Sequence, residues 1–173
     1  MKATSRFSGY AGDAAAQIQP LADVAPEQVA RLTVGLGELD RVLGGGLVGG
    51  SVVLIGGDPG IGKSTLLIQA LALLAERLPV LYVSGEESAE QISLRAQRLG
   101  LPTSSLQLLT ETSVERILAL ISQSKPRVLV MDSIQTFYTE SLQSAPGSVA
   151  QVRESAARLV RFAKQTGTSL FLV

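Results

Sequence analysis

The run Gly57-Asp58-Pro59-Gly60-Ile61-Gly62-Lys63-Ser64 fits the pattern G-x-x-x-x-G-K-[ST] at every position. Each residue type has a physical reason to be there. Glycines let consecutive backbone N–H groups curl around phosphate oxygens with no Cβ in the way. A helix starting at the end of the run adds partial positive charge at the same spot. Lys63 supplies a full positive charge for the β- and γ-phosphates, and the Ser64 hydroxyl suits Mg2+. The candidate contacts are Gly57, Asp58, Pro59, Gly60, Ile61, Gly62, Lys63, Ser64 and Thr65. The ligand class is a nucleoside triphosphate with its Mg2+.

Further along, Asp132 closes the apolar run Val128-Leu129-Val130-Met131. An aspartate at the end of such a strand is often only a local cap. Beside a phosphate loop it gains a second reading, as the Walker B carboxylate that holds a Mg2+ water or its partner Ser64. Glu86 and Glu87 follow another apolar run, VLYVS. Adjacent carboxylates at the C-terminal end of a strand sit where α/β sheets bind ligands, so one of the pair is a candidate to polarise the attacking water. The plain alternative is a solvated acidic turn ahead of Ser88. Ser133 and Gln135 stand next to Asp132. Gln135 reads equally as a γ-phosphate sensor or a polar loop residue.

The elements that must position these groups alternate. Ser51–Ile55 reads as a buried strand, apolar after its first residue, and Lys63–Glu76 as a helix with Leu66, Leu67, Ala70, Leu71 and Leu74 on one stripe. Val80–Ser84, Leu106–Leu109, Val128–Met131 and Thr168–Val173 read as further strands. A short helical piece over Glu38–Leu43 stops at Gly44-Gly45-Gly46. Capping boxes are expected at Ser88 with Gln91, Thr112 with Glu115, and Ser148 with Gln151. The last helix carries Val149, Val152, Ala156, Leu159, Val160 and Ala163 on its apolar stripe. The fold class is α/β, a mostly parallel sheet with helices on both faces. Residues 1–30 show no sustained period and read as a flexible arm, with the ordered core over 31–173.

Composition narrows the chemistry. The chain has no Cys and no His, which removes disulfides, Cys/His zinc sites and His-based proton transfer. Carboxylates or positioned water must do any acid–base work. Fifteen basic and fifteen acidic residues cancel, so any contact with nucleic acid must be local. The last helix offers such a place: Arg153, Arg158, Arg161 and Lys164 against Glu154, a solvated face in the plain reading. The polar segment 138–147 ahead of it suits a loop that orders on binding, with Arg153 nearest. No apolar run reaches membrane-spanning length, and a cytoplasmic protein is expected.

With these residues in place, Leu32–Val173 resembles the ATPase core of the bacterial RadA (Sms) DNA-repair family within the RecA superfamily. The carrying stretches are LGGGLVGGSVVLIGGDPGIGKSTLL, LYVSGEES, VLVMDSIQTF and PGSVAQVRE, within a region of about four-fifths of the chain. The resemblance implies a RecA-like fold, ATP hydrolysis, single-stranded DNA binding, and homo-hexameric rings that promote branch migration. It also implies Glu86 as the catalytic glutamate, Lys63 and Ser64 as phosphate and magnesium residues, and Asp132 as the Walker B position. The segment Phe137–Val152 matches the first DNA-binding loop. A strand formed by Thr168–Val173 should lie between the phosphate-loop strand and the Walker B strand. The family's four-cysteine zinc finger, KNRFG motif and Lon-protease-like domain have no counterpart in this sequence, so an excised core is expected. A KaiC-like autophosphorylating ATPase shares the glycine-rich lead-in and paired glutamates, but MDSIQT and PGSVAQVRE favour the RadA family.

Overall fold

The computed structural model describes Ile18, residues 20–23 and residues 29–173. Most of the arm expected over residues 1–30 lies outside the described residues. Residues Arg31–Val173 form one compact unit.

A two-stranded antiparallel ribbon opens the unit: β1 (Arg31–Leu32) pairs with β2 (Leu47–Val48) around helix α1 (Gly37–Val42). The main sheet follows, with β3 (Val52–Leu54), β4 (Val80–Ser84), β5 (Gln107–Thr110), β6 (Val128–Asp132) and β7 (Ser169–Leu172). All its pairings are parallel, in the order β3-β7-β6-β4-β5. The connecting helices are α2 (Lys63–Ala75), α3 (Ala89–Arg98), α4 (Val114–Ser124) and α5 (Val149–Thr166).

The pleat decides which helix meets which side chain. Val80, Tyr82, Val128, Val130 and Phe171 join Leu67, Ile68, Leu71, Leu74, Ile92 and Ala96 in one core, beneath α2 and α3. Leu81, Val83, Leu129, Met131, Leu170 and Leu172 face the other way, onto Ile117, Ile121, Leu159 and Ala163 of α4 and α5. Successive strand residues thus fill opposite cores, which is why the strands are apolar almost throughout.

As the resemblance implies, the strand formed from the 168–173 run lies between β3 and β6. Its residues Leu170 and Phe171 are fully buried. The strand over 51–55 departs from expectation. It is three residues long and forms an edge, paired among the described residues with β7 alone, and Leu54 is 69% exposed. An apolar run shows that a strand is pleated and sticky, not that both its edges are covered. At the opposite edge the strand shifts by one residue to Gln107–Thr110 and is mostly exposed.

Two of the three capping boxes fail. At Ser88 both halves form: Gln91 N–H donates to Ser88 Oγ at 3.3 Å, and Ser88 N–H donates to Gln91 Oε1 at 2.9 Å. Thr112 caps nothing. Ser113 occupies the cap position without a side-chain cap bond, and Glu111 Oε1 accepts the Thr112 N–H at 2.8 Å that a Thr112–Glu115 box would have given to Glu115, along with the Ser113 N–H at 3.0 Å. Glu115 turns away to Thr139 and Arg158. At α5, Ser148 Oγ accepts from Gln151 N–H at 3.4 Å, but the Gln151 side chain does not reach back. It is buried and faces the loop before the helix. The buried face of α5 is accordingly Gln151, Ser155, Leu159 and Ala163, while Val149 is exposed.

Candidate active site

The sheet's C-terminal edge assembles the expected groups. Gly62, at the N-cap of α2, adopts φ +102°, a left-handed conformation that a side chain would strain. Residues Gly56–Gly62 are exposed, as a loop that wraps a phosphate chain must be. The Lys63 ammonium bends over this loop, donating to the carbonyls of Gly57 at 2.7 Å and Asp58 at 2.9 Å. Its charge is thus held against the start of the loop, at Gly57 and Asp58, with Pro59, Gly60 and Ile61 following as exposed loop residues. Ser64 and Thr65 lie in the first turn of α2, half-buried.

Register brings the carboxylates in. Ser84 pairs with Asp132 across β4 and β6, and the next amide, Gly85 N–H, donates to the Asp132 carbonyl at 2.8 Å. Just past the ends of the two strands, the Ser133 hydroxyl donates to Glu86 Oε1. The approach requires a glycine between them: a Cβ on Gly85 would stand 2.1 Å from Thr136 Oγ1 and 2.9 Å from Thr136 Cβ. Thr136 belongs to the short 3-10 turn Ile134–Thr136, on which Gln135 is exposed.

The adjacent glutamates have different partners. Glu87 pairs with Arg95 at 2.8 Å, and its backbone N–H and C=O both bond the Ser84 hydroxyl. Glu86 is exposed and, among the described residues, pairs with no cation. A carboxylate already tied to a guanidinium is a poor proton acceptor, so the geometry separates a structural Glu87 from an available Glu86.

Asp132 is 7% exposed and accepts a hydrogen bond on Oδ2 from the Tyr82 hydroxyl. Tyr82, itself 1% exposed, is absent from the sequence-level candidates. Its phenol is pushed well above its ordinary range by burial first, then by the hydrogen bond to Asp132 and that residue's charge. The Arg95 charge and the Ser64 hydroxyl lie close enough to act in the opposite direction. Among the described residues Asp132 has no cationic partner and its Oδ1 accepts no hydrogen bond. The Asp132 carboxylate with its free oxygen and the Ser64 hydroxyl, which lies near the Tyr82 phenol, are both oxygen donors. That suits Mg2+, which takes few protein ligands and completes its shell with water and phosphate.

Behind this edge lies the 138–147 segment. Gln151 Oε1 accepts Thr139 N–H at 2.8 Å, and its Nε2 donates to the carbonyls of Thr139, Leu142 and Ser144 at 3.2, 3.3 and 2.8 Å. Glu115 accepts from the Thr139 hydroxyl, and Arg158 reaches Glu115 at 2.6 Å and Ser141 Oγ at 3.1 Å. This is a stapled loop, which corrects the expectation of a segment that orders only on binding. Of the basic residues on α5, Arg158 is spent on Glu115 and Glu154. Arg153, Arg161 and Lys164 are exposed and make no ion pair among the described residues.

Parallel strand order, phosphate loop and paired strand-end carboxylates define a P-loop ATPase domain of RecA-like fold. A solved structure agrees on the fold: the KaiC-like protein PH0186 from Pyrococcus horikoshii superposes with a TM-score of 0.69, covering 83% of this chain and 69% of that one at 23% identity. The chain belongs to the family described as an AAA domain, which matches residues 18–173. It is 64% identical over 165 residues to the DNA repair protein RadA of Pseudomonas aeruginosa, covering 95% of this chain and 36% of that protein. Against the RadA proteins of Escherichia coli and Bacillus subtilis the identities are 53% over 169 residues and 52% over 155 residues. Those matches cover 97% and 89% of this chain but only 37% and 34% of the relatives. The chain therefore spans about a third of the length of the curated relatives it matches. No helix among the described residues is long and apolar enough to cross a membrane.

Proposed function

We propose that this chain is the ATP-binding and ATP-hydrolysing core of a DNA-repair and recombination protein that acts on single-stranded DNA. One observation carries the chemistry. Lys63 and Ser64, at the start of α2, share one sheet edge with Asp132 and with a Glu86 that, among the described residues, no cation neutralises.

In this reading the loop amides and Lys63 bind the β- and γ-phosphates. When bound, Mg2+ supplies charge neutralisation for the phosphates, and Ser64 and Asp132 are the residues that would hold it. Glu86, oriented by the Ser133 hydroxyl, accepts the proton of the attacking water. The exposed cations Arg153, Arg161 and Lys164 form the local surface for single-stranded DNA, on the helix that follows the stapled loop. Subunits of the whole protein assemble as a homo-hexameric ring in which several such loops line one channel, and ring motion drives branch migration. The RadA relatives support the repair assignment by their printed name.

The test is phosphate release from ATP with Mg2+, with and without single-stranded DNA, for the chain and for Lys63→Ala. Turnover stimulated by DNA and lost in Lys63→Ala is expected. Nucleotide affinity unchanged in Lys63→Ala would sink the reading. Autophosphorylation on Ser or Thr in place of DNA-stimulated turnover would favour a clock-type ATPase instead.

A further inference from the structure

The two strand-end carboxylates of the site each receive a hydroxyl from the opposite strand. Ser133 serves Glu86, and Tyr82 serves Asp132. The second pair is the less expected. Tyr82 lies directly opposite Val130 in the β4–β6 ladder, and Asp132 is two residues further along on the same face. Such diagonal neighbours come within reach of an aromatic side chain. Period-2 alternation also aims both toward α2, whose first turn carries Ser64.

We propose that Tyr82 is a positioning residue for the divalent cation of the nucleotide site, holding Asp132 Oδ2 so that Oδ1 faces the cation shared with Ser64. The inference rests on the nucleotide-site reading above and adds to it a residue that the phosphate-loop and Walker B motifs do not contain.

The chemistry of the donor supports this. A buried carboxylate needs hydrogen-bond partners, and a Lys or Arg partner would also cancel its charge. The phenol is neutral. It satisfies one oxygen and fixes the carboxylate plane while leaving the negative charge for a metal ion. This is the usual division of labour around a metal: an outer residue orients the ligand, and the ligand meets the ion. Tyr82 is fully enclosed by the core under α2, so its own position is fixed by packing. Near the same phenol lies Arg95, whose Nη1 is committed to Glu87 at 2.8 Å and which makes no ion pair with Asp132 among the described residues.

Tyr82→Phe tests the inference, because it removes one oxygen and keeps the ring that packs the core. Two quantities are read: Mn2+ affinity of the ATP-bound chain by electron paramagnetic resonance, and nucleotide affinity of the unliganded chain in excess chelator. The expected result is Mn2+ affinity weakened by about tenfold with metal-free nucleotide affinity unchanged, as for other residues that orient metal ligands. In an Asp132→Asn background the same change should cost little further, because the group it orients is gone.

Unchanged Mn2+ affinity in a folded Tyr82→Phe chain would overturn the inference. So would an equal loss of metal-free nucleotide affinity, which marks general damage, or full additivity with Asp132→Asn. Should the phenylalanine variant fail to fold, Tyr82→Met repeats the test without the hydroxyl. Absence of any nucleotide binding by the unaltered chain would instead overturn the proposed function, and this inference with it.

Discussion

Arg95 closes on Glu87 at 2.8 Å, and that pairing divides the work between two glutamates adjacent in sequence. The Arg95 and Glu87 side chains keep only 20% and 33% of their surface exposed, so the pair is partly shielded from solvent. Glu86, one residue earlier, is oriented by Ser133 and otherwise open.

The two conservative amides should therefore behave in opposite ways. Glu86→Gln keeps size and hydrogen bonding, so ATP affinity should hold while turnover falls by roughly two to four orders of magnitude. Glu87→Gln should leave chemistry nearly intact and lower stability by about 1–2 kcal/mol, because it strands the Arg95 guanidinium. Parallel ATPase assays and urea denaturation of the two variants check both halves. A larger loss of turnover in Glu87→Gln would reverse the assignment.

Gln151 makes four hydrogen bonds to the Thr139–Ser144 loop from a position 1% exposed. Replacing it by Leu preserves volume and removes all of them. A stability loss of about 2–4 kcal/mol is expected, together with faster proteolytic cleavage within residues 139–147. Cleavage at the unaltered rate would show that the loop is held by other means.

The Glu115 carboxyl is held below its ordinary 4.5: burial pushes upward, but the Thr139 hydrogen bond, backbone N–H groups and the Arg158 charge outweigh it. A lowered folded-state value adds stability that is complete above 4.5 and is lost as pH falls through the lower value. Glu115→Gln should thus be less stable than the unaltered chain at neutral pH, and the gap should be smaller at a pH below 4.5. Denaturant melts at both pH values measure it. A gap of constant size would remove Glu115 from the acid response.

On the outer face of α5, Arg153, Arg161 and Lys164 are free of ion pairs among the described residues, whereas Arg158 is committed. The triple change of those three to Ala should weaken single-strand binding and lower the slope of log affinity against log salt by about two, at roughly 0.7 per phosphate contact. ATP affinity should be unaffected. Fluorescence anisotropy with a labelled oligonucleotide over a salt series provides the reading, and an unchanged slope would move the contact elsewhere.

Much of this site was legible in the sequence because its chemistry is local. The phosphate loop is a contiguous run, and Asp132 and Glu86 each sit at the end of an apolar strand. What escaped depends on partners far apart along the chain. Tyr82 looks like one more strand residue until the ladder places it diagonally from Asp132, fifty positions away. Arg95 reads as an ordinary helix charge, and only its approach to Glu87 gives it a role. Gln151 fits a capping box by spacing, yet Thr139 N–H takes the Oε1 that the Ser148 N–H would need. Leu54 belongs to an apolar run that implies a covered strand, but apolarity says nothing about which strands lie on either side.

The Gln151 staple has a consequence for how the 139–147 loop meets any ligand. Fixing one residue's backbone costs about 1–2 kcal/mol of conformational entropy, and here folding has already met that cost for Thr139 to Ser144. Association with a preshaped loop escapes the ordering penalty that a segment folding on contact must bear. Calorimetry on such an encounter should return a small heat-capacity change, free of the large negative contribution that coupled folding brings. The loop would then distinguish its ligands by fit, with little freedom to mould itself to each.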